Sequence, residues 1–217
     1  MTRSIHETSR RGALAAAFGV LGGAALAGSA RAQQVSTTPN ACNVTGFTIS
    51  PPVKALIDAA GVSGDAHDWD YLMGEWSSVQ RRMKKRWTSN PEWEAFPART
   101  VYQKFYDGAM NVDETDFPTK GWGGLTLRTL SPATKLWSVY WVSTHNPTLT
   151  APMVGGYKDD RATFYGDDTD DGVPIIARVY RIKARPDTER WEQAFSKDGG
   201  KTWETNWTAD FSRVKRA

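Results

Sequence analysis

The chain has 217 residues, with 27 Lys+Arg, 24 Asp+Glu, one cysteine and ten tryptophans. That length buries a core without staples. An ordinary 40% hydrophobic and 24% charged composition excludes bulk disorder. The lone Cys42 excludes a disulfide framework within one chain and any CxxC redox or zinc motif.

Residues 1–32 read as an address. Arg3, Arg10 and Arg11 precede an uncharged, small apolar stretch from Ala13 to Gly28, and Ala30-Arg31-Ala32 fits the signal-peptidase rule. Ser9-Arg10-Arg11 followed by Leu14 resembles a twin-arginine export signal, with Ala13 where that pattern usually has Phe. The apolar stretch is shorter than the roughly 20 residues a spanning helix needs, so we expect a cleaved signal, a periplasmic or secreted protein and no stable membrane anchor. Of the 27 basic and 24 acidic residues, this segment holds Arg3, Arg10, Arg11 and Arg31 against Glu7, which leaves 23 of each. No basic excess remains to attract nucleic acid, and we expect no nucleic-acid partner. Nothing in the sequence addresses oligomeric state.

Residues 33–49 are polar and without periodicity, which predicts a flexible leader. Ser50 before Pro51-Pro52 is a helix start. Val53, Leu56, Ile57 and Ala60 fall on one face, and Gly61 ends the helix. The reading is one short helix at one end of the following domain.

From residue 70 the hydrophobic period changes to two. About ten runs rich in Val, Tyr, Trp and Thr alternate with Gly, Asp, Asn and Pro clusters. They lie near 72–83, 99–106, 110–115, 123–130, 136–144, 152–157, 161–165, 173–183, 189–196 and 202–213. Residues 84–98 read as a longer excursion with room for a helical turn. Short turns between successive strands predict an antiparallel up-and-down barrel, since closure removes the edges. The fold class is therefore all-β, a lipocalin-like barrel over residues 50–217.

Several motifs have a plain structural reading. Ser196 to Trp203 matches the S-x-D-x-G-x-T-W Asp-box once, and one copy predicts a capped hairpin turn. Pairing Ser196 with Thr202 would put Phe195 opposite Trp203, Gln193 opposite Thr205 and Trp191 opposite Trp207. It gathers Glu192, Ala194, Glu204 and Asn206 on the other face. Asp167 to Gly172 looks like a calcium loop, but Arg178 stands where an EF-hand needs Glu. A solvated hairpin tip is the expectation, with weak calcium binding as the alternative. The four letters Tyr165-Gly166-Asp167-Asp168 are read as coincidence.

Gly74-Glu75-Trp76 resembles the lipocalin G-x-W, whose Trp plugs the closed end beneath a last-strand Arg; Arg213 is the candidate. If Trp76 points inward, so does Arg82, which then needs an anionic partner. The chain from His67 onward resembles a bacterial lipocalin-like family of uncharacterised function. The resemblance rests on His67 to Leu72 with Gly74 to Trp76, Asn111 to Glu114, Gly124 to Arg128, Trp137 to Trp141, Phe164 to Asp168 and Trp191 to Trp207. It implies a calycin-type barrel and supplies no activity.

His67 and His145 are the only histidines after the signal; neither lies in an H-E-x-x-H helix, and no G-x-S-x-G elbow occurs. We expect no metal site and no cofactor. The leading function is binding of a small hydrophobic or aromatic molecule in the lumen. Its candidate residues are Trp76, Gln80, Arg82, Asn111, Asp113, Arg128, Tyr140, Trp141, Arg178 and Asn206. The alternative is a cofactor-independent isomerase, cyclase, lyase or hydrolase, with Glu192 and Glu204 as general acid and base. A haem or metal carrier is the third reading.

Overall fold

In the computed structural model, the described residues are 42–43 and 47–215. The segment read as an export signal, 1–32, and most of the segment read as a leader lie outside them. Cys42–Asn43 (β1) pairs with Thr48–Ile49 (β2), and Ile49 is buried.

Pro51–Ala60 is the one α-helix, α1. Ser50 caps it through its side chain, and Gly61 at φ 62° ends it in the left-handed region that glycine tolerates. Val53 and Ile57 form its buried stripe. They pack with Val154, Tyr165 and Ile176. Those three alternate with Met153, Phe164 and Ala177, which line the interior, so they face outward. The helix therefore lies along the outer wall, not at one end as the sequence suggested.

Ten strands follow: Gly74–Met83 (β3), Trp93–Phe105 (β4), Met110–Phe117 (β5), Trp122–Leu130 (β6), Trp137–Ser143 (β7), Met153–Lys158 (β8), Arg161–Asp170 (β9), Val173–Arg185 (β10), Thr188–Ser196 (β11) and Glu204–Arg213 (β12). Each pairs antiparallel with its chain neighbours, and β12 returns to β3 to close the barrel. The expected meander is present. The excursion at 84–98 is shorter than expected, because β4 begins at Trp93.

One end is closed from within the chain. Residues 62–73 cross beneath the barrel, anchored by backbone hydrogen bonds between Ser63 and Tyr157 and from Gly64 to the Lys135 carbonyl. Gly64 lies where any Cβ would strike Trp137. Asp68 accepts from the Trp137 indole and from the Asp65 backbone, which turns Trp69 up into the floor. Trp69 packs edge-on to Trp137 and Tyr157 and stacks on Phe164. Trp76 is fully buried, its indole donates to the Leu72 carbonyl, and the Arg213 guanidinium lies 4.4 Å from its ring. Arg213 also donates to the Met73 and Tyr71 carbonyls. The inward Trp76 and its covering arginine stand where the G-x-W pattern suggested.

The Asp-box is a turn. Asp198 accepts from the backbone of Lys201 and Thr202 and from the Thr202 hydroxyl. These bonds hold its carboxyl well below the usual range although it is exposed. They also use up residues 196–203, so pairing starts at Phe195 with Glu204 and Ala194 with Thr205. A bulge then absorbs Asn206, and Gln193 meets Trp207. The register expected from the sequence is wrong for this reason.

Candidate functional site

Inside the barrel is one cavity of about 380 Å³, within the range of small-molecule sites. One wall, on β3–β6, is polar: Gln80, Tyr102, Asp113, Thr115, Thr126 and Arg128 line it. The opposite wall is mostly apolar: Val139, Met153, Phe164, Ala177, Val179, Trp191, Trp207, Ala209 and Phe211. Trp191 and Trp207 meet edge-on at 5.9 Å.

Two ion pairs sit at the floor. Arg128 donates to Asp113 and Asn111, and both charged side chains of that pair are at most 4% exposed. Thr115 and Thr126 also donate to Asp113. Arg181 lies 3.5 Å from Glu189, with side chains 6% and 0% exposed. Arg181 donates to the Tyr102 hydroxyl, and Tyr71 donates to Glu189. Burial pushes the Glu189 carboxyl up, against the pull of Arg181. Burial likewise pushes the Tyr102, Tyr71 and Tyr157 hydroxyls up, so all three stay protonated. The guanidiniums of Arg128 and Arg181 approach the same Trp69 ring, at 4.6 and 5.7 Å.

The mouth has three sectors. Over β3–β6, Phe96, Phe117, Trp122 and Trp207 form an aromatic cluster with Arg82 against three of their rings. Over β9–β12 runs the β3–β4 connection, a strap. Arg86 grips Asp170 through both carboxylate oxygens, and the Trp87 indole donates to Asp170. The Trp87 backbone N–H donates to Glu204, and Lys197 lies 3.9 Å from the Trp87 ring. Arg86 thereby covers Phe195. Trp87 has φ 59°, unfavourable for a bulky residue and held by these bonds. The third sector is open. β7 pairs with β8 only through Trp137, Ser138 and Val139. Beyond that seam, half-exposed Trp141 and Thr150, Ala151, Asp167 and Asp168 line the entrance.

The structure sorts the residues singled out from the sequence. Gln80, Asp113, Arg128 and Trp141 line the cavity. Asn111 is fully buried behind Arg128, and Asn206 is buried and accepts from Gln193. Trp76 lies in the floor, and Arg82 is bonded to Glu94 at the mouth. Tyr140 and Arg178 turn outward: the former packs on Phe47, the latter covers Tyr180 and Trp203. Glu192 alternates with inward Trp191 and Gln193 and accepts from Thr205. Glu204 holds the strap. Neither glutamate lines the lumen, so the position on which their acid–base reading depends is not theirs. His67 is exposed beside Asp70, and His145 stacks on Trp122. Among the described residues no cluster of three or more His, Cys, Asp or Glu is placed to hold a metal. The acidic hairpin tip is a turn at Asp171-Gly172, both with positive φ, and Asp170 is committed to Arg86. Sequence reasoning missed Trp69, Tyr102, Arg181 and Glu189 as cavity-floor residues. The signal available was the alternation Ala177, Val179, Arg181, a face that becomes inner once its register with β9 is known.

Fold and cavity together define the class: among the described residues, a closed, antiparallel, ten-stranded β-barrel around an amphipathic lumen. Among solved structures it is similar to the S-type phycobiliprotein lyase CPES from Guillardia theta, at 13% identity, over 74% of this chain and 98% of that one, with a TM-score of 0.47. That likeness concerns the fold alone. No family model and no curated protein matches the chain.

Proposed function

We propose that the protein binds one small, largely hydrophobic or aromatic molecule in the barrel lumen, after export through the twin-arginine route to the periplasm. Membership in the bacterial lipocalin-like family belongs to the same proposal. The observation that carries the binding reading is the cavity itself: an enclosed apolar wall rich in aromatic surface faces fixed polar groups and has one open sector of the mouth. Apolar burial supplies affinity, and the few polar groups fix orientation. The wall is preformed, because Trp191, Trp207 and Phe211 are held by packing on neighbouring strands, so little ordering cost is left to binding.

Native mass spectrometry with an absorption spectrum, on protein taken from its own cell envelope, tests this. The expected result is a retained organic mass of one molecule per chain, starting at residue 33. A clean ligand-free mass, with no saturable binding of any aromatic probe, contradicts the reading.

A further inference from the structure

The floor of the lumen has more hydrogen-bond donors than the protein answers. Trp69 Nε1, Asn111 Nδ2, Arg128 Nε and Arg181 Nη1 are buried and have no hydrogen-bond partner among the described residues. Only one buried acceptor nearby, Glu189 Oε2, is likewise unanswered. Native interiors rarely leave such groups unpaired, because each costs about as much as a lost hydrogen bond.

The four donors are neighbours. Asn111 and Arg128 are hydrogen-bonded to each other. Both guanidiniums lie 5.6 Å from the Tyr102 ring and flank Trp69. Arg128, Arg181 and Trp69 also line the cavity. The opposing charges are unequally committed. Asp113 is held by three side chains: Arg128, Thr115 and Thr126. Glu189 sits farther from Arg181 and forms no direct hydrogen bond to it, while Tyr71 donates to it instead. Arg181 is thus a buried cation whose counter-ion is loosely engaged.

We propose that this floor is a carboxylate subsite: the lumenal ligand carries a carboxylate, set against Arg181 and Arg128, with its apolar body toward Trp191, Trp207 and Phe211. The proposal rests on the lumen-binding reading. A carboxylate brings acceptors only, in the planar arrangement that guanidinium groups match. It supplies acceptors to the cavity-lining donors of Arg128, Arg181 and Trp69, and a second counter-charge to Arg181. An alcohol or amide head would bring further donors to a floor already rich in them.

Calorimetry on the full chain with 2-naphthoate, methyl 2-naphthoate and 2-naphthamide tests this. The acid is expected to bind at least about tenfold more tightly than the ester or amide, the scale of a charge-assisted hydrogen bond in a dry site. Glu189→Gln keeps an acceptor for Tyr71 and removes the competing carboxylate, so the acid-to-ester ratio rises. Arg181→Met brings that ratio to about one; should it fail to fold, Arg181→Lys, which loses the planar fork, lowers the ratio. Equal binding of all three probes, or a ratio that Glu189→Gln leaves unchanged, overturns the carboxylate subsite and leaves lumen binding standing. Failure of all three probes, the ester included, overturns the lumen reading together with it.

Discussion

The two ends of the barrel are built from the same residue types and behave oppositely. At the floor, arginine, carboxylate and tryptophan are buried together: Arg128 with Asp113, Arg181 with Glu189, and Trp69 and Trp76 among them. At the mouth, the same types make the strap, where Arg86 is a third exposed and Trp87 is 36% exposed. Desolvation separates the two. A pair buried on both sides is costly to break because the survivor is left charged in a poor dielectric, whereas at the strap Asp170 is buried but Arg86 reaches water, which can take over on that side. On the lumen-binding proposal, the floor would specify what sits in the lumen and the mouth how readily it enters.

The largest expected effect comes from breaking the floor. Arg128→Met leaves Asp113 buried without its cation and lowers stability by about 3–5 kcal/mol, measured by urea unfolding. Trp76→Ala empties the space beneath Arg213 and costs a similar amount, about 3–5 kcal/mol. If either loses less than 1 kcal/mol, the floor is not the rigid element described.

The strap comes next. Asp170→Asn loses the counter-charge for Arg86 and costs about 1–3 kcal/mol. Its clearer signature is kinetic: a bound naphthalene probe leaves faster, with affinity changed less than either rate constant. Stopped-flow release with unchanged rates would show that the strap does not guard the lumen.

Acid sharpens the same point. Arg86 and Trp87 hold the Asp170 carboxyl below its ordinary value of 3.8. A carboxylate depressed in the fold contributes stability that is complete above that ordinary value and lost as pH falls through the lower folded one. Probe release is expected to be flat from pH 8 to 5 and to accelerate below about 3.8. In Asp170→Asn this acceleration is absent; its persistence there would place the titrating group elsewhere. The smallest effect is at Glu192, whose conversion to Gln changes stability and probe affinity by no more than about 0.5 kcal/mol.

Much of the barrel was legible in the sequence. The period-two runs and turn clusters place all ten strands, because antiparallel hairpins leave both signals locally. The floor was partly legible through Gly74-Glu75-Trp76 and Arg213. What could not be read was which face of each later strand is inner. That parity depends on register, and register depends on details such as Asp198 drawing residues 196–203 into its turn and Asn206 forming a bulge. A one-residue slip exchanges the faces. Nothing local tells which face is inner, so Glu192, already on the face away from Trp191 and Gln193, was read into the lumen, and the same uncertainty on β10 hid Arg181 while promoting Arg178. Long-range pairs such as Arg86 with Asp170 leave no local trace at all.

Filling the lumen tests directly whether it is the binding site. Ala209 lines the cavity and is buried; Ala209→Phe places a ring in the ligand's space at a tolerable overpacking cost of about 1–3 kcal/mol. Calorimetric titration of wild type and variant with methyl 2-naphthoate should give one site per chain in wild type and at least a tenfold loss, about 1.4 kcal/mol, in the variant. Equal affinity in a variant that retains its circular dichroism would put the probe outside the barrel and contradict the account.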